Sequence, residues 1–280
     1  MEEITYNVRR DHKDGLFCKL FGSEKYKNYA LELYNSINNS NYDNPDDLQI
    51  ITLSSAVYMK MKNDVAYLIS GNMPLYEHQS TLNPNMPARG IMYYGEVLSK
   101  YFIQNGLDIF GKKLIKIPTP QYVVLYNGMD DLPPVSKLKL SDAFMNPTDD
   151  GEFEWTATVY NINPGKNDAL LNRCASLKGY SFFVEMVRDN KYNKGMEDVV
   201  AVDCAVSYCI RNGIIADVLQ EERAAVMLEA LTTFLEDVHD EGLREEGREE
   251  ERKKYEDDRK RYEEEIQRLQ AELREAKRGS

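Results

Sequence analysis

A chain of 280 residues, 42% of them hydrophobic, is long and apolar enough to bury one large core or two small ones and still carry a tail. Its 47 acidic and 35 basic residues give a net charge of −12, which excludes a general electrostatic attraction to nucleic acid; any phosphate contact has to come from a local patch or a bound cation. The apolar runs fall short of a membrane span, and the opening MEEITYNVRR lacks the apolar core and small-residue cleavage site of a signal peptide, so a cytoplasmic protein without membrane contact is expected.

The four cysteines, Cys18, Cys174, Cys204 and Cys209, form no CxxC pair and no zinc spacing, which points to buried filler. In chain order, Leu16, Phe17, Leu20 and Phe21 recur at helical spacing and lead into a second stripe of Tyr26, Tyr29, Ala30, Leu33, Tyr34 and Ile37. Glu32 falls off that stripe, as a solvated residue would. Residues 38–47 form a polar loop closed by Asn-Pro, and residues 48–53 are apolar and β-branched enough for a first strand.

Residues 65–70 and 75–80 read as the arms of a β-hairpin. A two-residue loop at Ser70-Gly71 sets Asp64 opposite Glu77, and one at Gly71-Asn72 sets it opposite Gln79. Either way, period-two alternation brings Asp64 to the face that carries Glu77 and Gln79. Two carboxylates and an amide oxygen are hard ligands suited to Mg²⁺ or Mn²⁺, the outline of a phosphodiesterase site. A solvated polar face on an ordinary hairpin is the competing reading of the same spacing.

A helix follows over 87–102, with Ile91, Tyr94, Leu98, Tyr101 and Phe102 on one face and Arg89, Tyr93, Glu96 and Lys100 on the other. Arg89, in its first turn, is the residue suited to a phosphate. Residues 113–118 and 121–126 read as strands, with Asn127-Gly128 as a turn, which completes an α-β-β-β-α-β order. The DDLPP break at 130–134 sets the boundaries: a core over 1–130, a mixed strand and helical accessory region over 131–239 with one strand at 154–161 and helices from 167, and a charged tail over 240–280. Within the tail Tyr262, Ile266, Leu269, Leu273 and Ala276 alternate by four and three, a short coiled-coil seam that offers self-association. From Glu236 onward there are 17 acidic and 12 basic residues, so the remainder of the chain is itself acidic at −7.

The words NDVAYLI, EHQST, NPNMPARG and YNG stand in one order with DGLFCKLFG, LELYNSIN, IPTPQYVVLYNG, LKLSDAF, VYNINPGKN, LLNRCASLKGYS and AVSYCIRNGIIADVL, over residues 11–240. Together they resemble the recombination-promoting nuclease and putative transposase family of the PD-(D/E)XK nuclease superfamily. That resemblance implies an α/β fold, a restriction-endonuclease-like mixed sheet flanked by helices, and a Mg²⁺- or Mn²⁺-dependent endonuclease acting on DNA in recombination or mobile-element transposition. It implies Asp64 and Glu77 as catalytic metal ligands and Gln79 where the wider superfamily places Lys. Glu32 would be a lesser metal ligand. Arg89, by its place in the first helical turn, and after it Lys62 are the residues expected to contact substrate. The alternative is a degenerate nuclease fold acting as a protein-interaction scaffold, which the missing Lys and the acidic body favour.

Overall fold

The computed structural model describes residues 15–51, 64–146, 153–223 and 225. Helices α1 (Leu16–Gly22) and α2 (Lys27–Asn38) bury Leu16, Phe17, Leu20, Phe21, Ala30, Leu33 and Tyr34, the apolar stripe expected from their spacing. Strand β1 (Leu48–Ile51) follows, then the hairpin β2 (Asp64–Ile69) and β3 (Asn72–Gln79). The hairpin turn is Ser70-Gly71, with φ of +47° and +76°. Two consecutive positive φ values match the right-handed twist of the flanking strands, and Gly71 adopts its value without steric cost.

Helix α3 (Met86–Gln104) then crosses back so that β4 (Thr119–Tyr126) runs parallel to β3, with Asn72 beside Thr119 and Gln79 beside Tyr126. The strand expected over 113–118 does not form. That segment is coil, mostly exposed up to the buried Pro118, and pairing begins only at Thr119, between two prolines that cannot donate to a ladder.

The sheet does not stop near residue 130. Strand β6 (Thr156–Asn161) lies parallel to β4, and β5 (Val135–Lys139) closes the edge antiparallel to β6, giving the order β1-β2-β3-β4-β6-β5. A boundary at 130 would cut this sheet in two, so the strands of the expected accessory region belong to the core. Edge strand β5 turns Lys137 and Lys139 to solvent, which discourages pairing with another edge. The architecture is α/β with a six-stranded mixed open sheet.

Helices α4 (Asp168–Leu171), α5 (Ala175–Arg188, continued by a π turn over Asp189–Asn193), α6 (Asp198–Arg211) and α7 (Ala216–Glu221) occupy the stretch expected to be helical. The seam in the tail and Lys62 lie outside the described residues. Among the described residues, no helix is long and apolar enough to cross a membrane.

The register sorts the sheet into two faces. Ala66, Met73, Leu75, Tyr122, Val124, Tyr126, Ala157 and Val159 pack against Met86, Tyr93 and Val97 of α3. Val65, Tyr67, Ile69, Tyr76, Val123 and Leu125 alternate with them and turn to the other face, where α1 lies against β2 and the Tyr67 hydroxyl donates to the Phe21 carbonyl at 2.7 Å. The buried stripe of α3 is Met86, Pro87, Gly90, Tyr93 and Val97, with Tyr94 and Tyr101 only half-buried. This corrects the expected stripe, which placed Tyr93 on the outer side. The correction has a steric cause: a Cβ on Gly90 would lie 2.3 Å from the Tyr122 ring, so α3 seats its glycine on that ring and thereby aims Tyr93 inward.

Candidate functional site

Cross-strand pairing sets Asp64, the first residue of β2, directly opposite Glu77 of β3, with Gln79 two residues further along the same face. Of the two registers open from the sequence, the Ser70-Gly71 turn selects this one. Helix α3 begins beyond the end of β3, and its first turn brings Arg89 over Glu77. From the parallel neighbour β4, Tyr122 reaches in diagonally.

Glu77 is 1% exposed, and its charge is met on both oxygens. Its Oε1 accepts from Arg89 Nη2 at 2.6 Å and from Gln79 Nε2 at 2.5 Å, and its Oε2 accepts from the Tyr122 hydroxyl. Arg89 is held in turn by its Nε donating to the Tyr93 hydroxyl at 3.0 Å, four residues on along the same helix face. Asp64 is placed differently. Its Oδ2 is buried and, among the described residues, has no hydrogen-bond partner. A buried carboxylate oxygen left bare costs several times what a hydrogen bond contributes, so the fold tolerates here what it satisfies almost everywhere else.

The electrostatics follow. Burial, then the neighbouring Glu77, raise the Asp64 carboxyl well above its ordinary range, with Arg89 pulling the other way. Burial also raises Glu77, against Arg89, Tyr122 and Gln79, which all favour its charged form. Burial and Glu77 push the Tyr93 phenol up to about 12, and they raise that of Tyr122 further, so both remain hydrogen donors at neutral pH. Among the described residues one guanidinium thus faces two carboxyl groups, and the site lacks positive charge.

That lack defines what the residues could hold. Asp64 Oδ2 is an open oxygen ligand, Glu77 a second carboxylate in register, and the Gln79 amide oxygen a third hard donor; a small divalent cation that keeps several waters needs no more. Among the described residues no group of three or more His, Cys, Asp and Glu side chains converges; this face offers two carboxylates and an amide.

Glu32 is not part of this set. It rides on α2, and its carboxylate accepts from the amides of Ala175 and Ser176 at 2.7 and 3.2 Å and from the Ser176 hydroxyl at 2.5 Å. It caps the start of α5, whose own N-cap, Cys174, provides no side-chain bond. Both oxygens accept at that helix terminus, and no contact joins Glu32 to Asp64, Glu77 or Gln79 among the described residues. His78 lies between Glu77 and Gln79 but points to the opposite face, where its Nε2 is 3.0 Å from the Tyr180 hydroxyl and its ring stacks 5.6 Å from Phe17.

Two residues of the site escaped the sequence reading, Tyr122 and Tyr93. Tyr93 carried a signal in its spacing of four from Arg89. Tyr122 carried none, since its meeting with Glu77 depends on the parallel β3 to β4 register. Set against protein-family models, curated proteins and solved structures, the chain matches none.

Proposed function

We propose that this chain is a metal-dependent DNA endonuclease with a PD-(D/E)XK-type core, hydrolysing phosphodiester bonds at the Asp64, Glu77 and Gln79 face. The observation that carries this reading is the buried Asp64 Oδ2, without a hydrogen-bond partner among the described residues and set in register with Glu77, a pairing of buried carboxyl groups that folding alone would not favour. The sequence words shared with recombination-promoting nucleases and putative transposases agree with it, as does the run of α, three antiparallel strands, α and a parallel strand that builds the sheet.

Asp64 and Glu77 would hold Mg²⁺ or Mn²⁺, whose contribution when bound is to polarise the scissile phosphate and to acidify water. The residues supply the remainder. Gln79 cannot act as a base, since an amide does not titrate near neutrality; it donates, and so orients whatever oxygen lies beside Glu77. Tyr122 fixes the Glu77 carboxylate from the other side. Arg89, half-buried at the start of α3, is the cation available to charge developing on a phosphate oxygen. DNA is thus the proposed partner, with recombination or transposition as the setting that the resemblance suggests.

A second reading has its own support. Three donors already satisfy Glu77, as they would in a fold that keeps the acidic positions as structure and acts as a binding scaffold. Incubating plasmid DNA with the purified chain, with and without Mg²⁺ or Mn²⁺, decides between the two. Cleavage only with metal supports the nuclease. No cleavage, together with no metal-linked rise in melting temperature, supports the scaffold.

A further inference from the structure

We infer that Arg89 is a resident counter-ion that competes with a divalent cation for Glu77 and is drawn off by a phosphodiester, so that metal and substrate load cooperatively. This rests on the metal-centre reading above and specifies its order of assembly.

The geometry of Glu77 carries the inference. A carboxylate oxygen has two lone-pair directions, and on Oε1 both are taken, by Arg89 Nη2 at 2.6 Å and Gln79 Nε2 at 2.5 Å. A Mg²⁺ ion bound to that oxygen would sit about 2 Å away, in the space the guanidinium occupies. Gln79 is neutral and can stay; Arg89 carries a full charge and cannot share the oxygen with a second cation.

Arg89 also reaches solvent. Its side chain is 30% exposed while Glu77 is 1% exposed, so the arginine spans from the buried carboxylate to solvent. Its Nε bond to the Tyr93 hydroxyl is a pivot that does not involve Glu77. The first turn of α3 contains no acidic residue, so an anion arriving there meets Arg89 without a competing carboxylate in that turn. Asp64 Oδ2, which has no hydrogen-bond partner among the described residues, is the first point of contact for the cation.

A phosphodiester that engages Arg89 therefore frees Glu77 Oε1 for metal, and metal on Glu77 frees Arg89 for phosphate. The coupling is reciprocal by necessity: each ligand raises the affinity of the other by one and the same factor.

The test is calorimetric titration of Mn²⁺ into the full chain, with and without a phosphorothioate-linked dinucleotide that resists hydrolysis. For the wild type, the dinucleotide should tighten Mn²⁺ binding about 5- to 150-fold, the usual range of such couplings. Arg89→Gln should bind Mn²⁺ tighter than the wild type by a factor of similar size without any dinucleotide, and the dinucleotide should then add nothing. Arg89→Lys, which keeps the charge but loses the two-pronged reach, should fall between them, and it carries the test if the glutamine variant does not fold. Wild-type Mn²⁺ binding at least as tight as that of both variants in the absence of dinucleotide would overturn the counter-ion role and leave the metal centre standing. Absence of Mn²⁺ binding from all three proteins, or undiminished binding by Asp64→Asn, would remove the metal centre and this inference with it.

Discussion

Three consecutive residues of β3 sit in two chemically opposed environments. Glu77 and Gln79 face α3 beside a carboxylate with a bare oxygen and a half-exposed arginine. His78, between them, faces α1 and α5 and is buried against Phe17 and the Tyr180 hydroxyl. Both faces enclose titratable groups, and burial moves their pKa values in opposite directions, in each case against the charged form. Burial pushes His78 down to about 4, with Asn127 opposing and Arg188 assisting, so that face holds a neutral imidazole at pH 7. Burial and Glu77 push Asp64 up on the other face, where negative charge is crowded for want of a cation. One face resolves its polarity internally, and the other keeps it open to a ligand.

The two faces should differ most at Gln79, which matters only to the open one. Gln79→Ala should slow metal-dependent cleavage about 10²- to 10³-fold, the scale of losing one donor to a transition state. Gln79→Lys, which still donates and adds a charge, should keep appreciable activity. Single-turnover cleavage at saturating Mg²⁺ checks both; a lysine variant slower than the alanine variant would mean that the amide oxygen, as a metal ligand, is what matters.

The pH dependence of stability separates the faces next. With its folded value lowered, His78 contributes stability that is present above about 6.5 and lost as pH falls toward 4, a change of roughly 3 kcal/mol over that window. In His78→Phe this acid-side loss should disappear from urea melts taken between those limits. Asp64 acts with the opposite sign. Its raised folded value gives stability that is fully present below the ordinary 3.8 and lost as pH rises through the folded value. Asp64→Asn should therefore flatten the metal-free profile on the other side and melt at an equal or higher temperature than wild type at pH 7; a lower melting temperature would contradict the charge crowding.

Smaller still is the effect expected where the open face is braced. Gly90→Ala puts a methyl group 2.3 Å from the Tyr122 ring, and overpacking of this kind costs about 1–3 kcal/mol. Because that ring also carries the hydroxyl on Glu77, the same change should weaken metal-linked stabilisation. A variant as stable as wild type, with unchanged metal response, would show that Tyr122 has room to move.

Much of this was legible in the sequence because it rests on short-range rules. Period two along 64–79 was enough to put Asp64, Glu77 and Gln79 on one face, and the α-β-β-β-α-β order followed from runs of apolar residues. What was not legible depends on contacts distant in the chain. The hairpin register turned on Ser70 adopting a left-handed backbone, which a β-rich stretch gives no reason to expect of serine. Strand β5 has only Val135 and Leu138 as apolar residues and exists because β6 offers it an edge. Glu32 looked solvated because its partners, at the start of α5, lie more than 140 residues away.

The most direct test of the open face is plasmid cleavage by wild type, Asp64→Asn and His78→Phe side by side, each with Mg²⁺ and with a chelator. Wild type and His78→Phe should cleave at similar rates with Mg²⁺ and not at all with chelator, while Asp64→Asn, folded by its melting curve, should not cleave in either. Cleavage by Asp64→Asn at the wild-type rate, or wild-type cleavage that persists in chelator, would contradict the assignment of a metal-dependent phosphodiesterase site to this face.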